Sequence, residues 1–315
     1  MDVPVWLESF KPIYWAIPVF TILIFAEMIY GKISGRARFE PHDSAASLVM
    51  GLGNTVASVV FGGLTTAWFF VVYEFHVFDI GFAWWVWPVA LVLDDFVYYW
   101  SHRFAHTVRW FWADHVVHHS SQHYNLTTAL RQPWFSVLTL KWMWLGSILI
   151  LIGFHPLVIA TVGALNLIYQ FWIHTEAVGK CPSWFEAVMN TPSHHRVHHA
   201  TNPIYLDRNY AGIFIVWDKM FGTFQPELEH EACRYGVVKN LGTYNPLVIS
   251  VHEWLGIIQD INRAPTLKAK LLYLLAPPGW SHDGSRDTSR QILSRWQQKQ
   301  AVKDPQTDPG QSPAE

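Results

Sequence analysis

The sequence predicts an all-α polytopic membrane protein with about four to five membrane helices and a helical cap on the cytoplasmic side. Three observations predict it. Hydrophobic residues make up 51% of the 315-residue chain and charged residues only 15%, with 18 tryptophans, a balance that suits lipid contact with aromatic interfaces. Several runs approach the roughly 20 apolar residues that a helix needs to cross a bilayer. Histidines also recur three and four residues apart, which is the spacing of one helix face.

In chain order, MDVPVWLESFKPIYW lacks a basic region and a small-residue cleavage site ahead of the first apolar run, which therefore reads as a retained anchor. Residues 14–30 form that first span and carry Glu27; Lys32, Arg36 and Arg38 follow in a polar loop. Residues 45–73 form the second span, with glycines that permit close helix packing. The link EFHVFDIG has no Lys or Arg, and residues 82–100 form a third span that runs straight into His102. Residues 134–153 and 157–173 are the fourth and fifth, turning at Gly153 and Pro156. The fifth is short and carries Asn166 and Gln170, which leaves open a hairpin that stops short of a full crossing. Lys141 is placed to snorkel toward the interface.

The basic loop after the first span puts that side in the cytoplasm. Alternation then delivers His102 and, after the hairpin, His174 to the same face. The organisation is three membrane helices over 1–101, two histidine boxes over 102–133, and a membrane hairpin over 134–173. A cap with a third box follows over 174–301, then a disordered Pro-rich tail over 302–315. Within the cap, residues 269–280 read as an interfacial helix, too short to span. The net charge of -2 gives no global attraction to nucleic acid. Cys181 and Cys233 show no metal-type spacing and imply no disulfide framework.

Nine of the 17 histidines fall in three short stretches. HRFAH contains His102 and His106; HVVHH contains His115, His118 and His119; HHRVHH contains His194, His195, His198 and His199. Imidazole suits Fe, Zn, Cu and Ni, and the eight box histidines other than His194 exceed what one ion takes, so two ions are predicted. His174, in WIHTE beside Glu176, is a ninth candidate ligand. His194 is a tenth candidate ligand, although it points about a quarter turn from His195, a direction that suits supporting the ligands. His123 is a further candidate. Thr191 and Pro192 suit the cap and first position of the helix bearing the third box. Metal-bound histidines usually donate their other N–H to a carboxylate or carbonyl, which makes Asp95, two turns before His102, with Asp94, Asp114 and Asp218, candidate partners.

From residue 94 to 226 the chain resembles the fatty acid hydroxylase and sterol desaturase superfamily of membrane oxygenases. The likeness lies in DHVVHHSSQHYNLTTALRQ, LIYQFWIHTE, NTPSHHRVHH and DRNYAGIFIVWDKMFGTF, and within the superfamily it is to the branch that cleaves alkylglycerol ether lipids. The resemblance implies a di-iron centre, dioxygen as oxidant and a membrane lipid substrate, with a sterol or fatty acyl chain as the alternative to an ether lipid. It departs at Thr107, where that branch has glutamate, and at Gln122 and His123, where it has an acidic pair; these positions bear on tetrahydrobiopterin as the reductant.

The residues alone reach part of this. Attack on an unactivated C–H bond needs a redox metal, whereas the same ligands holding zinc would make a membrane hydrolase, and a scaffold without catalysis stays open. The chain has no flavin or nicotinamide fingerprint, so electrons must come from a partner protein or a soluble reductant. The topology makes a prediction of its own. Reporters at Arg36, near Gly179 and at the C terminus should read cytoplasmic and one near Asp79 external; a Gly179 reporter on the outer side would break the convergence of the boxes.

Overall fold

The computed structural model describes residues 3–10 and 12–303. After a short helix α1 (Val5–Ser9) come two long ones, α2 (Pro12–Ser34) and α3 (Pro41–Tyr73). Both are apolar on nearly every side, and residues such as Ile22, Phe25, Leu52 and Val59 are exposed. Apolar helices that the protein leaves uncovered are made for lipid. Among the described residues, α2 and α3 are the helices long and apolar enough to cross a membrane. At 33 residues α3 is about 50 Å long, well beyond a hydrocarbon core of roughly 30 Å. Its first turn is capped by the Glu40 carboxylate, which accepts from Asp43 N at 2.5 Å, with Pro41 at the first helical position.

The other three expected spans have a different build. The third apolar stretch and the first histidine box are one continuous helix, α4 (Val86–Thr107), interrupted on its buried side by Asp94, Asp95 and the histidines. A break at Val108 separates it from α5 (Arg109–His119), which carries the second box. The fourth stretch opens as a 3-10 turn (Ser136–Thr139) and becomes helical only over α6 (Lys141–Ile152), about 18 Å long. The fifth, α7 (Pro156–Trp172), reaches about 25 Å. The turn expected at Gly153 and Pro156 is present. Gly153 has φ +129°, and a Cβ there would lie 1.8 Å from the Phe78 carbonyl oxygen, so no other residue fits.

Helix α4 is the spine. It packs on α7, α6 and α5, while α3 packs on α6 and α2 on α7. An apolar core built from Val72, Val86, Ala90, Ile150, Phe154 and Val158 binds α3, α4, α6 and α7, while Val117 of α5 and Ile24 of α2 pack in smaller clusters of their own. Beyond it lie α8 (Ser183–Glu186), α9 (Pro192–His199) with the third box, α10 (Val216–Met220), α11 (Pro246–Arg263), α12 (Leu267–Leu275) and α13 (Ser289–Lys303). Thr191 and Pro192 occupy the predicted cap and first position of α9, yet the Thr191 hydroxyl donates to Glu186 rather than capping. Among the described residues only isolated bridges interrupt the all-helical pattern. Helix α12 occupies part of the expected interfacial segment. Most of the expected tail, 304–315, lies outside the described residues.

Candidate metal centre

The boxes on α5 and α9 share the pattern His-x-x-His-His, and the fold uses them as mirror images. Residues four apart on a helix lie nearly one above the other, whereas the neighbour of the last one is rotated by about 100°. His115 and His119 on α5 therefore face one way with His102 and His106 of α4, while His118 faces another. On α9 the pair His195 and His199 faces the second direction, and His198 crosses into the first. Two groups result: His102, His106, His115, His119 and His198; and His118, His195 and His199 with His174 from the end of α7. Within each group the ligand atoms lie within 4.8 Å of one another. The groups abut, with the His119 and His199 rings stacked at 4.3 Å.

The ring orientations are set from outside. His102 Nδ1–H donates to the Tyr210 carbonyl at 2.8 Å, His198 to Arg208 at 2.9 Å, His118 to Arg131 at 3.2 Å and His174 to Gln170 at 2.7 Å. His106 Nδ1 meets the Asp207 carboxylate at 3.3 Å. A carbonyl only accepts, so in a neutral imidazole each such bond leaves a bare lone pair on Nε2. Those Nε2 atoms turn inward. His118 and His174 face each other at 3.1 Å, His174 and His195 at 3.0 Å, and His102 and His115 at 2.8 Å. Ligands about 2.1 Å from an ion and at right angles would stand about 3.0 Å apart. The inward nitrogens of His106 and His198 are buried with no partner. A metal cation satisfies all of them, and the residues fit two.

Protonation is a poor alternative. Burial, then neighbouring imidazoles, drive His115, His119, His195 and His199 far below the ordinary histidine range, and burial takes His118 down to about 4. A cavity of about 360 Å³ opens onto His106, His119, His198 and His199, with Trp112, Val116, Leu206, Val238 and Leu241 among its walls.

This arrangement lies inside the segment that matches a known family model, fatty acid hydroxylase, over residues 87–223. Residues 87–223 carry that match, and every histidine box lies within them. The chain is similar to the alkylglycerol monooxygenases of Homo sapiens (35% identical over 283 residues, 89% of this chain and 61% of that one) and Xenopus tropicalis (38% over 282 residues, 89% and 60%). It is also similar to the ornithine lipid hydroxylase OlsE of Rhizobium tropici, 30% identical over 145 residues, 44% of this chain and 43% of that one. The chain thus spans about three fifths of the length of the alkylglycerol monooxygenases it matches. No solved structure matches it significantly. The family match and two exposed apolar helices of spanning length together point to a membrane protein.

The segment 87–223 brings together all eight box histidines and His174. It leaves out His194, whose Nε2 lies 3.9 Å from Glu186 and whose ring packs on Phe224, and His123, which lies 3.8 Å from Asp43. None of the carboxylates singled out on α4 and α5 meets a box histidine. Asp95 accepts from Ile213 N, Phe214 N, Trp217 Nε1 and Asn166 Nδ2, Asp94 from Asn166, and Asp114 from Ser136 and Lys141. Lys141 thus pairs at 3.1 Å instead of reaching for an interface. Asp218 acts one step back, accepting from Tyr210 N and Ala211 N at 2.8 Å and so fixing the peptide that receives His102. The supporting residues that sequence reasoning missed are Asp207 and the carbonyls of Arg131, Gln170, Arg208 and Tyr210. Carbonyls carry no sequence signal. Asp207 and Asn209 adopt left-handed φ values of 57° and 56°, which aspartate and asparagine tolerate best, so DRNY was the one readable hint.

Two expectations follow. Alanine at any of the nine clustered histidines should lower bound metal measured by elemental analysis, whereas alanine at His194 or His123 should leave it unchanged. In metal-depleted protein the depressed histidines stay neutral when folded but take up protons when unfolded. Stability should therefore hold above about pH 6.5 and fall progressively from there toward about pH 4, the value for His118. A detergent melting curve flat across that window would contradict this.

Proposed function

We propose that the protein is a membrane-bound non-haem di-iron monooxygenase that hydroxylates a lipid C–H bond with dioxygen, and that its substrate is an alkylglycerol ether lipid. The observation that carries the reading is the pair His118 and His174, whose Nδ1–H groups are committed to carbonyls while their Nε2 atoms face each other at 3.1 Å. Iron held by the two histidine groups would supply the redox capacity for oxygen chemistry at a C–H bond, which zinc lacks. Zinc found in purified protein would not decide the matter, since nitrogen ligands favour it over Fe(II).

The chain's own residues define where chemistry takes place. His106, His119, His198 and His199 present one side of the histidine cluster to the 360 Å³ cavity, so substrate and oxygen meet the site there. The apolar walls keep bulk water from the reacting carbon. The net reaction is balanced: one oxygen atom enters the C–H bond beside the ether oxygen, and the other leaves as water with two electrons and two protons from a reductant. The resulting hemiacetal collapses to a long-chain aldehyde and a glycerol. A donor protein or a soluble reductant such as tetrahydrobiopterin supplies the electrons. The adjacent ether oxygen weakens the C–H bond, so ordinary oxidising power suffices.

The polytopic arrangement and the cytoplasmic placement of the site belong to the same reading. They are supported by the basic loop after α2, whose Arg38 carbonyl accepts from Asn125 Nδ2 at 2.9 Å, six residues past the second box. Similarity to an ornithine lipid hydroxylase supports lipid hydroxylation more broadly, and a sterol or fatty acyl chain is the second reading.

The test is to load purified protein anaerobically with Fe(II), offer alkylglycerol, oxygen and several reductants in turn, and trap aldehyde. Aldehyde formation with one dioxygen molecule consumed per turnover is expected. If no reductant yields aldehyde while a sterol or acyl lipid gains oxygen in the same preparation, the ether-lipid reading is wrong.

A further inference from the structure

The two histidine groups are braced from different parts of the molecule. Three members of the first group lean on one loop, through Tyr210 O, Arg208 O and Asp207, and Asp218 stiffens that loop. The second group leans elsewhere. His118 donates to the carbonyl of Arg131, whose guanidinium is buried and tied to α3. It donates to Asp43 Oδ1 at 2.6 Å, to Asp43 O at 2.8 Å and to Ser47 Oγ at 3.0 Å. The other Asp43 carboxylate oxygen accepts from Ser121 Oγ, two residues past the second box. On α2, Glu27 is buried within an otherwise apolar helix. It accepts from Leu126 N at 2.7 Å and from the hydroxyl of Thr175, the residue after His174. Carboxylates buried in lipid-facing helices are costly, and ionisable groups placed there usually serve the site they reach.

We infer that Glu27 and Asp43 are positioning residues for the second histidine group: α2 and α3 hold His174 and His118 in place, while the 207–210 loop holds the first group. The two metal sites are then separable. Weakening the helix clamps empties the second and spares the first. The inference rests on the two-metal reading proposed above.

The experiment is anaerobic Fe(II) or Co(II) titration of full-length protein in detergent, with stoichiometry and affinity read for each site. Wild type should bind two ions. Glu27→Gln and Asp43→Asn should keep one site unchanged and weaken the other about 10- to 100-fold, the usual cost of losing a ligand's support. Adding His118→Ala to Asp43→Asn should remove little further metal, whereas adding His106→Ala should remove the remaining ion. Should Asp43→Asn fail to give monodisperse protein, Glu27→Gln leaves the Asp43–Arg131 pair intact and carries the same test. Two ions in wild type with both sites unchanged, or both weakened alike, in the variants would overturn the clamp alone. Fewer than two ions in wild type would overturn the two-metal reading together with it.

Discussion

At the middle of the molecule, His118 and His174 each spend their one N–H on a carbonyl and turn a bare nitrogen lone pair toward the other. Two lone pairs 3.1 Å apart in a buried site repel, and burial also resists the protonation that would relieve them. A cation between them removes the conflict. The rest of the fold can be read as what it takes to hold this arrangement: carbonyls aimed at Nδ1, helices that stop where the histidines point inward, and carboxylates that pin the loops supplying those carbonyls.

Buried charge is spent where it fixes backbone. Asp95 is fully buried and accepts four hydrogen bonds, three of them from the segment 213–217, so α4 and the loop after α9 cannot move independently. Arg109 opens α5 and is held by Glu253 and Asp260 of α11 at 2.6 Å each, and Arg286 adds to Asp260 at 2.9 Å. That network docks the C-terminal helices against the second box, beside the cavity that Gly236, Leu241 and Ile292 help enclose. Removing one partner of such a buried pair typically costs about 3–5 kcal/mol, so these pairs set geometry more than they add net stability. The membrane helices take part in the same scheme, because α2 and α3 offer lipid an apolar surface outside and a single buried carboxylate each inside.

Much of this was legible in the sequence, for a physical reason. Helical periodicity is local, so His-x-x-His-His and His-x-x-x-His mark the helices that present clustered imidazoles, although the single face expected of each box splits in two on α5 and α9. Apolar runs mark α2 and α3 almost to their ends. Eight histidines, His174 and an all-helical architecture were accessible on that basis. Lengths of the remaining apolar segments were less so. Residues 82–100 read as a span running straight into the box at 102–106, and α4 does continue through the box, but it begins only at Val86.

The sequence by itself determined the histidine boxes and the helices that carry them, with more imidazoles than one ion takes. Only the tertiary structure decided how nine histidines divide into five and four. That division depends on how α4, α5, α7 and α9 are rotated against one another, which sends His118 and His198 across to the opposite group from their box partners. It also decided what braces them. Asp95 sits two turns before His102 on one helix, but the loop after α9 arrives first and takes its carboxylate, leaving His102 to the carbonyl of Tyr210, 108 residues away in sequence. Spacing along one helix fixes which side chains can meet; which partner they do meet is settled by whatever chain the fold brings alongside.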